Sequence, residues 1–213
     1  MITIIISIDP TTAFLFEIIE NIRANDIEVN LIEIHPSDQS YNDCLEKIKE
    51  LDCGSIILFL GHGQSDRLYG GESEAFDKKP IVKLNEMNIF KDKYLILLTC
   101  DSAELLKSSF RQAKMIKSIG FGALPTEIEE LDNNKKFANV GITKATIDLF
   151  RSVIVSTVSD AIVHSLKYKI DFIQTKDYLT FLLNKKINSV ILEDNNENLG
   201  DLIYQMKYEL VQY

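Results

Sequence analysis

Two positions in this chain have the residue types and spacing for acyl-transfer chemistry: His62, followed by Gly63, and Cys100, thirty-eight positions later. A thiol attacks a carbonyl carbon well once a neighbouring imidazole accepts its proton, and the same imidazolium can return that proton to a leaving amine. Both residues close unbroken apolar runs. Ser55-Ile56-Ile57-Leu58-Phe59-Leu60-Gly61 delivers His62, and Tyr94-Leu95-Ile96-Leu97-Leu98-Thr99 delivers Cys100. Such runs read as strands buried on both faces of a parallel sheet, where ligands and chemistry gather beyond the carboxyl ends. Neighbouring strands ending at one edge would set base and nucleophile side by side.

The flanking residues fit that chemistry. Asp101 is placed to cap a helix, with Glu104 three positions on completing a capping-box pattern, so Cys100 would feel the positive end of the helix dipole and lose its proton more readily. The backbone N–H groups of Gly63 and Cys100 are candidate oxyanion donors, and Gly63 lacks a side chain that would obstruct a substrate carbonyl. Each residue alone has an ordinary reading: His62 as a satisfied loop histidine, Cys100 as a small buried hydrophobe. Their matching strand-end positions favour a dyad. The other candidates read as structural: His35 beside Pro36, His164 in a helical pair with Asp160, and Cys44 and Cys53 in or near the core.

The elements needed to position this pair follow from periodicity. Ile2 to Ile8 predicts a strand. Thr11 or Thr12 would cap a helix to about Ala24 carrying Phe14, Leu15, Ile18, Ile19 and Ile22 as a stripe. Ile27 to Ile34 predicts a second strand, and Asp38 or Ser40 opens a helix to about Leu51. A polar stretch, Gln64 to Lys79, separates the His62 strand from the Cys100 strand. A helix over Asp101 to Ile116 and a glycine-bearing strand over Ile119 to Leu124 come next. Strands alternating with helices give an α/β fold, a mostly parallel sheet flanked by helices. Residues 1–130 form that core within a single domain of 1–213. Residues 131–213 read as a helical extension, with helices over Ile142 to Tyr168 and Lys176 to Ile191 and a turn at Asp194 to Asn198. The tail from Leu202 alternates like an added edge strand, while its Leu202, Ile203, Met206, Leu210 spacing also suits a helix.

An apolar strand ending in His-Gly, then an apolar strand ending in Cys, resembles the caspase-like cysteine peptidases, and most closely their bacterial CHAT branch. Arg67-Leu68-Tyr69-Gly70-Gly71 is similar to the glycine-bearing loop after the histidine motif. Leu97-Leu98-Thr99-Cys100-Asp101-Ser102 is similar to the cysteine motif, with Thr99 where alanine is usual. The resemblance covers roughly residues 1 to 130. It implies a caspase-like fold and a cysteine endopeptidase with Cys100 as nucleophile, His62 as proton shuttle and no metal or cofactor. It also implies a protein or peptide substrate, an activating partner protein, and a role in bacterial defence or stress. In relatives the strand ends near Asp9 help form the pocket for the residue before the cleaved bond. Asp9, and Asp101 if it does not cap, would then favour a basic side chain.

Composition narrows the rest. Of 213 residues 46% are hydrophobic and 26% charged, and the formal net charge is -9, which argues against a nucleic-acid surface. No apolar run approaches the roughly 20 residues of a membrane span. Three cysteines without a CxxC pair point to a reducing cytoplasm rather than a disulfide framework. The rival reading is a non-catalytic interaction or sensor module with the same fold. A nucleotide-binding domain is disfavoured because Asp9-Pro10-Thr11-Thr12, not a glycine-rich loop, follows the first strand.

Overall fold

The computed structural model describes residues 1–132 and 141–213. Strand β1 (Ile2–Ser7) is buried along its whole length. It leads through a 3-10 turn (Pro10–Leu15) into helix α1 (Phe16–Arg23). Strand β2 (Val29–Ile34), helix α2 (Asp38–Glu50) and strand β3 (Ile56–Leu60) follow. The polar stretch after β3 forms a small antiparallel sheet of β4 (Gly63–Gln64), β5 (Arg67–Tyr69) and β6 (Pro80–Lys83). The chain then runs through β7 (Tyr94–Leu98), α3 (Ser102–Ala113), β8 (Lys117–Gly120) and the short α4 (Ile128–Asp132). Helices α5 (Lys144–Tyr168), α6 (Phe172–Leu192) and α7 (Glu197–Tyr208) precede a final strand, β9 (Val211–Gln212).

Among the described residues the main sheet has the order β2-β1-β3-β7-β8-β9. Its first five strands are parallel and β9 pairs antiparallel with β8. Successive side chains of a strand point to opposite faces, and the isoleucine- and leucine-rich runs supply apolar groups to both. Ile4, Ile6, Leu58, Leu60, Ile96 and Leu98 pack under α1, α5, α6 and α7. Ile5, Ile57, Phe59, Leu95 and Leu97 pack against α2, α3 and a 3-10 turn at Leu84–Phe90. The expected mostly parallel α/β sheet with a helical C-terminal region is thus observed. No helix of the described residues is long and apolar enough to cross a membrane.

Several local expectations shift. Asp9, not Thr11 or Thr12, caps the first helical turn, because its carboxylate accepts the Thr11 amide while Pro10 occupies the first position. Ser37 caps α2. The fifth strand lies at Lys117–Gly120 rather than over Ile119 to Leu124. Most of the tail is helix α7: Leu199, Leu202, Ile203 and Met206 are buried while Tyr204 and Tyr208 face out. Only Val211 and Gln212 form the edge strand. Cys44 is core, whereas Cys53 is exposed. His164 stacks on Tyr178, with ring centroids 4.0 Å apart.

Candidate active site

The strand order reverses between β1 and β3, and in open parallel sheets ligands bind at such a switch point, beyond the carboxyl ends. Asp9 leaves β1 and His62 leaves β3, one on each side of that point, and Cys100 leaves β7 next to it. His62 and Cys100 line one cavity of about 20 Å³, together with Leu15, Thr99, Leu124 and Ile154. That space holds about one water and no peptide.

His62 is fixed from behind. Its Nε2 lies 2.9 Å from Thr11 Oγ1 and 3.4 Å from Asp9 Oδ2. The side chains of His62 and Asp9 are 14% and 2% exposed. The Thr11 hydroxyl donates to Asp9 Oδ1 at 2.6 Å, and the Thr11 amide donates to the same oxygen at 2.7 Å. With its one proton given to the carboxylate, the Thr11 hydroxyl can only accept from His62. The network therefore assigns the imidazole proton to Nε2 and leaves the Nδ1 lone pair as the base. Burial foremost, then the charge of Lys78, lowers the His62 pKa, against the opposing carboxylates of Asp9, Glu130 and Glu72. The imidazole is neutral at neutral pH. Burial works to raise Asp9, but the Thr11 hydrogen bonds and the charges of His62 and Lys78 outweigh it and hold its carboxyl below the ordinary range. Asp9 thus faces inward onto His62 rather than outward onto a substrate side chain.

The Cys100 turn is held by backbone pairing with the segment after β8. The Asp101 amide donates to the Gly122 carbonyl at 2.9 Å and the Ala103 amide to the Phe121 carbonyl at 2.7 Å. The fully buried Ser102 hydroxyl accepts the Phe121 amide at 2.9 Å and lies 2.8 and 2.9 Å from the Leu97 and Thr99 carbonyls. Asp101 occupies the N-cap position of α3 in a left-handed conformation (φ 54°), and its side chain does not cap the helix. Glu104 pairs instead with Lys107. The expected capping box is therefore absent: an N-cap residue accepts the first-turn amides from an extended backbone, and Asp101 is left-handed.

The expected lowering of the Cys100 pKa is also reversed. Its Sγ donates to the Leu124 carbonyl at 3.2 Å. Burial foremost, then the charge of Glu130, pushes the thiol up to about 12. Desolvation is the largest of the effects on this thiol, and the Leu124 hydrogen bond and the Lys78 charge only partly oppose it. Gly63 has a further reason to be glycine: a Cβ there would stand 2.4 Å from Thr99 Oγ1 and 3.0 Å from the Cys100 carbonyl oxygen. The histidine loop rests directly on the cysteine loop. Among the described residues, Asp9 Oδ2 and Thr99 Oγ1 are the two buried side-chain oxygens without a hydrogen-bond partner, and both belong to this site.

The loop after β5 lies beside the site and is pinned there. The Glu72 amide donates to the Ile8 carbonyl at 3.0 Å, and the Tyr41 hydroxyl to the Gly71 carbonyl at 2.8 Å. Lys78 pairs with Glu72 at 3.3 Å. Lys78 and Glu130 escaped the sequence reading, which named Thr11 only as a helix cap and Ser102 only as part of the cysteine motif. The Asp-Pro-Thr at the end of β1 was the local signal for the Asx turn that Thr11 makes with Asp9. No group of His, Cys, Asp and Glu among the described residues could hold a metal ion. No protein-family model, curated protein or solved structure matches the chain, so the chemistry of the site rests on its own geometry.

Proposed function

We propose that the protein is a cysteine peptidase of caspase-like type that hydrolyses peptide bonds in a protein partner. The observation that carries this reading is the convergence of Asp9, His62 and Cys100 at the switch point of the sheet, with His62 held neutral and its proton turned toward Thr11 and Asp9. In the reaction the Cys100 thiol passes its proton to His62 Nδ1 as sulfur attacks the scissile carbonyl. The backbone amides of Gly63 and Cys100 would receive the oxyanion. Asp9 stabilises the imidazolium through Nε2, as the buried carboxylate of a triad does. His62 then protonates the leaving amine, and water, deprotonated by His62, releases the acyl group from sulfur. Asp101, exposed and next to Cys100 in the chain, remains the candidate for a basic substrate side chain.

Two observations favour the rival reading of a non-catalytic interaction module with the same fold. The cavity admits about one water, and the thiol is held protonated. Peptide-library cleavage separates the two. The chain and an Arg151→Ala variant, which removes the tie from α5 to Thr126 and Glu127 beside the site, with Cys100→Ala and His62→Ala as controls, are incubated with a degenerate library and scanned for new amino termini by mass spectrometry. Cleavage that disappears with Cys100→Ala and with His62→Ala is the expected result. A library left intact by both active forms would sink the peptidase reading.

A further inference from the structure

We propose that the C-terminal helical region is an internal clamp, fastening residues 122–130 over Cys100 and keeping the site shut until it is released. The inference rests on reading Cys100 as the nucleophile, and it gives residues 141–213 a role in regulating that site.

The strap is tied down at two points from beyond residue 141, besides the Asp101 amide on the Gly122 carbonyl. At its start, Glu209 Oε2, just past α7, accepts the Ala123 amide at 2.8 Å. The Glu209 side chain lies so close there that a Cβ on Gly122 would overlap its carboxyl. Further along, Arg151 of α5 donates from Nε to the Thr126 carbonyl at 2.8 Å and pairs through its guanidinium with Glu127. The same guanidinium lies 5.3 Å from the Phe14 ring centroid. Between the two ties, the Leu124 carbonyl takes the Cys100 thiol proton. Phe14 and Ile154 wall the cavity beside Leu124.

Glu130 closes the strap on itself, accepting the Thr126 amide at 2.7 Å and the Glu127 amide at 3.1 Å, and it brings negative charge toward the thiol. Three effects thus act together on one partly buried cysteine: the strap packs against it, its thiol is hydrogen-bonded as a donor, and Glu130 adds negative charge. All three depend on the strap being in place. The ties are polar and partly open to water, with Arg151 and Glu127 side chains 22% and 34% exposed. Beneath them, α5 is rooted in the core through Ile147, Phe150, Val153 and Ile154. The strap also contributes Ala123 and Leu124 to the core, so its release exposes these two side chains while α5 and the sheet hold the rest of the fold, a local opening.

The test is the rate of iodoacetamide alkylation at each cysteine of the full chain at neutral pH, read by mass spectrometry. The exposed Cys53 calibrates the reagent, and Cys44, buried in the opposite layer, reports global loosening. In the unaltered protein Cys100 should react at least about tenfold more slowly than Cys53. Arg151→Ala should raise the Cys100 rate about tenfold or more and leave Cys44 untouched, and Glu209→Ala should act in the same direction. Glu127→Gln, at the half-exposed end of the pair, gives the same readout should Arg151→Ala not fold. A Cys100 rate unchanged in these variants, or rising only together with Cys44, overturns the clamp. If Cys100 is unmasked but no peptide is cut, the clamp stands and the peptidase reading falls. If the unaltered protein cuts peptides as fast as the released variants, the clamp falls and the peptidase reading stands.

Discussion

Asp9 Oδ2 lies 3.4 Å from His62 Nε2, so in the proposed reaction this carboxylate acts on the imidazole. Asp9→Asn removes the charge that would support the imidazolium and keeps the shape of the side chain. Peptide turnover should fall about a hundredfold or more in kcat with little change in KM, as for a group that acts through the base. A change in KM or in side-chain preference without loss of kcat would instead mean that Asp9 reads the substrate. His62 and Cys100 were legible because each ends a continuous apolar run, a purely local signal. Asp9 was legible only as an acid at a strand end, because its place beside His62 depends on β1 and β3 being neighbours, which no spacing within one run reveals. The Cys100 thiol supplies a second prediction at this scale. Burial and Glu130 push it up to about 12, so its alkylation rate should climb about tenfold per pH unit with the thiolate fraction. It should not level off between neutral pH and 10. A plateau near neutral pH would show that His62 already holds the proton in the resting state.

Elements place these residues by leaning on one another, and that is where sequence patterns were least informative. The long buried strands β1, β3 and β7 announce themselves by composition. The β4, β5 and β6 strands are two to four residues long and half-buried, too short for any alternation to emerge from a polar stretch. The shift of β8 toward Lys117 has a similar cause, since Phe121 to Leu124 is as apolar as a strand but is used for the turn that braces Cys100. Gly63 shows how tight that bracing is. Gly63→Ala places a methyl group against Thr99 and the Cys100 carbonyl, an overpacking expected to cost about 1–3 kcal/mol. Urea unfolding measures it. Adding Thr99→Ala removes one of the clashing groups, so the double variant should be more stable than the two single changes predict by addition. Strict additivity would mean that the two loops do not touch in solution.

Over the whole molecule, the C-terminal helices are not an annex to a finished core. They cover the sheet face that carries Ile4, Ile6, Leu58 and Leu60, so the boundary near residue 130 suggested by composition divides one hydrophobic core. Because site and core are continuous, the ionisation of the site is also a term in global stability. His62 and Asp9 both have lowered pKa values in the folded chain, so the unfolded chain binds their protons first and stability is lost as pH falls. The His62 contribution declines from the ordinary histidine range downward, and that of Asp9 from the ordinary carboxylate range through its lower folded value. Cys100 and Cys44 have the opposite effect. Burial raises both to about 12, so the unfolded thiols ionise first and stability drains away as pH rises from the ordinary thiol range toward 12. The melting temperature should therefore peak between the histidine and thiol ranges and fall on either side. Asp9→Asn combined with His62→Gln should flatten the acid limb and leave the alkaline limb in place, whereas Cys44→Ala should soften only the alkaline limb. An acid limb as steep in the Asp9 and His62 double variant as in the unaltered chain would place the responsible carboxylates elsewhere and detach the site from the stability of the core.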